Sequence, residues 1–70
     1  MSMSEKIKIA IIKRKTTVSE VAKNLKISQS NLSNKLARDN FNERELRKIA
    51  DVLGYDYKAV FIDPETKEEI

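Results

Sequence analysis

Polar capping residues standing directly before short apolar-periodic runs constrain this chain more than any other feature. At Thr17, Ser28 and Asn42 a side-chain oxygen precedes a run whose apolar residues recur three or four apart, and Ser2 or Ser4 stands the same way before a run ending near Lys15. Such an oxygen accepts a hydrogen bond from one of the amides that the first helical turn leaves unpaired, so each marks a helix start. Four short helices follow from this. Helices of that length are marginal alone in water, so their apolar faces must pack on one another, and 70 residues leave room for one such bundle.

The faces can be read run by run. Ile7, Ala10 and Ile11 share one side of the first helix. Thr17-Val18-Ser19-Glu20 has the form of a capping box, in which the Thr17 hydroxyl takes the Glu20 amide while the Glu20 side chain reaches back. The helix it opens, Val18 to Leu25, carries Val21, Ala22 and Leu25 on a narrow edge where the small Ala22 permits another helix to cross closely. After Lys26 and Ile27, Ser28 caps a helix from Gln29 to about Arg38 whose Leu32 and Leu36 define the buried side. At 100° per residue Ser30, Asn34 and Ala37 point nearly opposite those leucines, with Asn31, Ser33 and Arg38 on the flanks. Asn42 caps the last helix, Glu43 to Leu53, with Leu46, Ile49, Ala50 and Leu53 at helical spacing and Gly54 as a left-handed stop.

Beyond Gly54 the pattern changes. Asp56 to Ile62 is aromatic and β-branched, and Asp63-Pro64-Glu65-Thr66 is turn chemistry before Lys67 to Ile70. The spacing predicts a β-hairpin, with a fifth helix as the alternative. Tyr57, Ala59 and Phe61 would face one way and Val60 and Ile62 the other, leaving an apolar strand with an open edge that invites a second copy of the chain. The expected architecture is therefore mainly α: a four-helix domain over residues 1–54, then a C-terminal β-hairpin or strand over 55–70 that packs back or makes a homodimer.

Charge narrows the function. Residues 1 to 38 hold nine basic side chains against Glu5 and Glu20, 9 − 2 = +7; residues 39 to 70 hold five basic and nine acidic, 5 − 9 = −4. A field divided this way attracts and orients a polyanion. With no histidine and no cysteine, the chain lacks the usual general base, thiolate ligands and disulfides, and it has no glycine-rich phosphate loop; neither an enzyme nor a metal or cofactor protein is expected. No apolar stretch is longer than that of Ile9 to Ile12, far short of the roughly 20 residues that span a bilayer, and no leader signal is seen, so a cytoplasmic location is expected. No membrane partner or small-molecule pocket is evident.

Between Thr17 and Arg38 four features coincide: a short capped helix, a tight connection, a second capped helix, and small polar residues on that helix's outer face. This is helix-turn-helix geometry, in which the first helix crosses the DNA backbone and the second enters the major groove. The groove is about 12 Å wide, so the entering face must not be bulky, and amide or hydroxyl side chains then meet donors and acceptors on base edges. Gln29, Ser30, Ser33 and Asn34 suit that need. The segment VSEVAKNLKISQSNLSNKLA resembles the twenty-residue motif of the Cro and phage-repressor-like helix-turn-helix proteins, with Ala22 at the small position, Leu25 and Ile27 flanking the turn, and Leu32 at the core position of the second helix. The resemblance covers Ser4 to Leu53 and implies a double-stranded DNA partner. By position it assigns Gln29, Ser30, Ser33 and Asn34 to bases, and Thr17, Asn31, Lys35 and Arg38 to phosphates. Two positions depart from it: Val18 stands where the family often has a phosphate-anchoring Gln, and Lys26 where it usually has Gly. A lysine held there at positive φ costs of order 1 kcal/mol.

The expected activity is that of a sequence-specific regulator of transcription, a repressor by resemblance. The competing reading is a protein-interaction module, such as an antitoxin or a phage or mobile-element adaptor that uses the same helices to bind a partner protein. An RNA-binding role ranks below both, because the deep, narrow major groove of A-form RNA does not admit a helix. Phe41, Tyr55, Tyr57 and Phe61 are read as structural, since they are not interleaved with a basic tract as in single-strand binders.

Overall fold

The computed structural model describes residues 2–70. Four helices form where the caps predict them: α1 (Met3–Lys13), α2 (Val18–Leu25), α3 (Gln29–Arg38) and α4 (Glu43–Leu53). Ser2, Thr17, Ser28 and Asn42 each accept a hydrogen bond from the amide three residues on. The reciprocal half of the capping box, expected at Thr17, is found instead at Asn42, where the Glu45 carboxylate accepts from the Asn42 amide at 3.0 Å.

Each helix delivers two side chains to one core: Ile7 and Ile11, Val21 and Ala22, Leu32 and Leu36, Ile49 and Leu53. Leu32 sits at its centre with 0% exposure. Because Ala22 is small and buried, α2 lies against both α3 and α4, and this wedge fixes the direction in which α3 points.

The stops of α2, α3 and α4 fall where the sequence places them, and that of α1 does not. α1 ends at Lys13, two residues before the expected end, because Lys15 turns left-handed at φ 55°. All four helices close in the same way: one amide bonds back six-to-one and its predecessor five-to-two, as in Thr16 to Ile11 and Lys15 to Ile12, or Tyr55 to Ala50 and Gly54 to Asp51. The left-handed residue in these closures is Lys15, Lys26, Asp39 and Gly54 in turn. Ser4, an alternative cap in the sequence, is buried within α1; its hydroxyl donates to the Leu36 carbonyl at 2.7 Å, and its amide donates to the Asp39 carboxylate at 2.8 Å. The start of α1 is thereby pinned to the end of α3.

The C-terminal segment corrects the sequence reading. Among the described residues there is no strand and no fifth helix; a single antiparallel bridge joins Ile62 and Glu69 across the expected turn. The turn itself is built by Asp63, whose carboxylate accepts from the Glu65 and Thr66 amides at 2.8 and 3.3 Å. Two short strands with nothing packed on either face are marginal, and of the aromatic residues expected on one face Tyr57 is drawn to Arg47 while Phe61 stays exposed. The Arg14 guanidinium lies 4.1 Å from the centre of the Tyr55 ring and donates to the Gly54 carbonyl, while Arg47 lies 5.6 Å from that of Tyr57. Each is a cation–π contact. Past Tyr57 the chain runs out as an arm: the extents are 42 × 22 × 19 Å and the radius of gyration is 13.5 Å, against roughly 11 Å for 70 compact residues.

Candidate nucleic-acid interface

The connection between α2 and α3 determines how α3 is presented. Lys26 adopts φ 61° and ψ 39°, so the left-handed turn that usually calls for glycine is made here by lysine. Its amide bonds to Lys23, and the Ile27 amide to the Ala22 carbonyl at 3.0 Å. With the carbonyls of α2 so closed, Ser28 opens α3 at once by accepting from the Asn31 amide at 3.0 Å. Half-buried Leu25 and Ile27 pack against the core on either side of the turn.

This arrangement buries one side of α3 and bares the other. Leu32 and Leu36 are buried, while Gln29, Ser30, Asn31, Ser33, Asn34, Ala37 and Arg38 are all exposed. Gln29, Ser30, Ser33 and Asn34 thus come together on one accessible helix, in its first two turns, and among the described residues no side-chain hydrogen bond engages any of the four. Thr17 is exposed at the start of α2, its oxygen already accepting from the Glu20 amide at 3.1 Å. Its hydroxyl proton stays available as a donor.

Of the two cations on α3, Arg38 is exposed in the last turn and forms no ion pair among the described residues. Lys35 is half-buried and ion-paired with Glu45 of α4. The Glu45 carboxyl is held below its ordinary pKa, first by the hydrogen bond from Lys35 and next by the Asn42 amide. Glu45 and the exposed Lys48 line a cavity of about 180 Å³ with Leu25, Ile27 and Lys35. Sequence reasoning missed both of these α4 residues. The signal for Glu45 was present: Asn42-x-x-Glu45 is a capping-box spacing, which fixes Glu45 on the first turn of α4.

Among the described residues no helix is long and apolar enough to cross a membrane, and no cluster of acidic side chains is placed to hold a metal ion. A family model described as winged helix-turn-helix DNA-binding matches residues 3–64, nearly the whole chain. No curated protein and no solved structure matches it.

Proposed function

The chain belongs to the winged helix-turn-helix DNA-binding family, and on that footing we propose that it is a sequence-specific repressor of transcription of the Cro and phage-repressor type, reading the major groove with α3. Its partner is double-stranded DNA, as the family gives it. The observation that carries the finer reading is the division of α3 into a fully buried Leu32 side and an exposed face of short polar side chains. A helix can enter the groove only on such a face.

In this reading Gln29, Ser30, Ser33 and Asn34 contact base edges, the amides of Gln29 and Asn34 being suited to paired hydrogen bonds with adenine. Thr17, Asn31, Lys35 and Arg38 hold phosphates and fix the register of the helix on the duplex. Residues 1–54 carry the DNA contacts, and residues 55–70 serve dimerisation or packing. A homodimer is part of the proposal, because one α3 reads only a few base pairs, whereas two related by a twofold axis read half-sites about 34 to 36 Å apart. The acidic tail residues would lie away from the duplex.

Selection from random duplexes with the purified protein, at a stated salt concentration, tests this directly. A recovered inverted repeat with half-sites one helical turn apart is the expected outcome. Recovery of no preferred sequence would overturn sequence-specific reading.

A further inference from the structure

A groove of about 370 Å³ runs between α1 and α4, walled by Met3, Ile7, Ala10, Leu46, Leu53 and Tyr57, and lined also by the exposed Lys6 and Lys13. No α3 residue lines it, so an occupant leaves the polar face of α3 free. Ile9 of α1 also lines the groove and is 39% exposed.

The arm carries the complementary feature. Phe61 and Ile70 exchange both backbone hydrogen bonds, at 3.1 and 2.8 Å, which makes them direct antiparallel neighbours with side chains on the same face. Both are 82% exposed, and Ile62 is 57% exposed. The turn at Asp63 thus holds an apolar knob clear of its own body. Around that knob Asp63, Glu65, Glu68 and Glu69 against Lys67 give 1 − 4 = −3, while the charges lining the groove, Lys6 and Lys13 against Asp56, give 2 − 1 = +1.

We propose that the α1–α4 groove takes the Phe61–Ile70 knob of a second copy of this chain, and that the exchange is reciprocal. The inference rests on the homodimer reading above and supplies its contact, with side chains in place of the open strand edge that the fold does not form. Tyr55, Asp56 and Tyr57 line the same groove from which the arm departs, so a twofold axis beside that point passes each arm to the other body with one self-complementary interface. A phenylalanine buries 150–250 Å²; with Ile70 on the same face, the groove surface they cover and twofold repetition, the interface reaches on the order of 1,000 Å², the threshold of a specific contact. Opposite net charges orient the docking and make it weaken with salt.

Sedimentation of the full chain, with single-cysteine cross-linking, tests it, since the natural chain has no cysteine. Phe61→Asp on the knob and Ile9→Asp in the groove should each raise the dimer dissociation constant at least tenfold, with the helical circular-dichroism spectrum unchanged. Lys13→Cys and Ile62→Cys proteins, mixed and oxidised, should give a heterodisulfide faster than either protein alone gives a homodisulfide. If the protein is dimeric but both Asp variants stay dimeric and no heterodisulfide forms, the arm exchange is wrong while the homodimer stands. A chain that is monomeric at high micromolar concentration overturns both. A Lys13→Cys/Ile62→Cys double variant that closes only within one chain overturns the arm exchange alone.

Discussion

Replacing Glu45 by Gln removes one charge beneath α3 and little else. The amide oxygen of Gln can still accept from the Asn42 amide, as Glu45 does at 3.0 Å, so the cap of α4 survives. What goes is the ion pair with Lys35, whose partners are 34% and 27% exposed. Pairs in such contact with water contribute about 0.2 to 1 kcal/mol. If Lys35 turns to a phosphate when DNA binds, the pair must be broken or shared, and that same energy is subtracted from binding. Glu45→Gln should therefore tighten binding to every duplex by about 1.4- to 5-fold at low salt, while lowering folding stability by no more than about 1 kcal/mol. Fluorescence anisotropy on a selected site and on a random duplex, at about 50 and 200 mM salt, reads the gain. The Lys35→Ala and Lys35→Ala/Glu45→Gln proteins complete a double-mutant cycle in which the gain should shrink. Binding that is unchanged or weaker in Glu45→Gln, or a gain of equal size without Lys35, would refute the assignment of Lys35 to phosphate.

Four further outcomes follow from the same geometry. Gln29→Ala or Asn34→Ala should cost about 1 to 3 kcal/mol on the preferred site and relax selection at one position; equal losses on random DNA, measured in the same binding assay, would show that these side chains do not read bases. Arg38→Ala should weaken binding alike on all sequences and reduce the salt slope by about 0.9, with an unchanged slope removing it from the interface. Leu32→Ala should cost about 3 to 5 kcal/mol in urea unfolding, most of the roughly 4 to 10 kcal/mol that a domain of this size holds, and a loss below 1 kcal/mol would mean the core collapses around the gap. The lowered pKa of Glu45 makes its contribution complete above the ordinary carboxyl value, about 4.3, and lost as pH falls through the lower folded value; urea midpoints across that window should fall less steeply in Glu45→Gln than in the parent.

Where the helices begin was legible because a cap is chemistry of a single residue: an oxygen on Ser2, Thr17, Ser28 or Asn42 meets an amide three positions away. The polar face of α3 was legible for a similar reason, being fixed by the helical period once Leu32 and Leu36 are placed inside. Contacts between distant positions were not. Nothing local places Lys35 against Glu45, or the Ser4 hydroxyl against the Leu36 carbonyl. The tail failed for a third reason. Its β-branched and aromatic residues predict a strand, but a strand needs a surface to cover, and Arg14 and Arg47 hold Tyr55 and Tyr57 against the helical body instead.

The stop of α1 was illegible because the usual signal is absent: the chain has one glycine, yet four helices close through left-handed residues. Lys15, Lys26 and Asp39 sit at φ 55°, 61° and 52°, and a side chain there costs roughly 1 to 2 kcal/mol. A domain of modest stability keeps such strain where the side chain returns something. Lys15 and Lys26 place positive charge at the ends of α1 and α2, where the helix dipole is negative, worth about 0.3 to 1 kcal/mol each, and Lys26 adds to the positive field at the turn that presents α3. Asp39 has the wrong sign for the end of its own helix, but its carboxylate takes the Ser4 amide in the first turn of α1, where negative charge is favoured. Glycine at any of the three would relax the backbone and forfeit the second role. Gly54, by contrast, has only the guanidinium of Arg14 within 4 Å of where a side chain would begin, and that cation already bonds to its carbonyl. A left-handed side chain has no comparable partner to gain there, and this is the stop at which glycine remains.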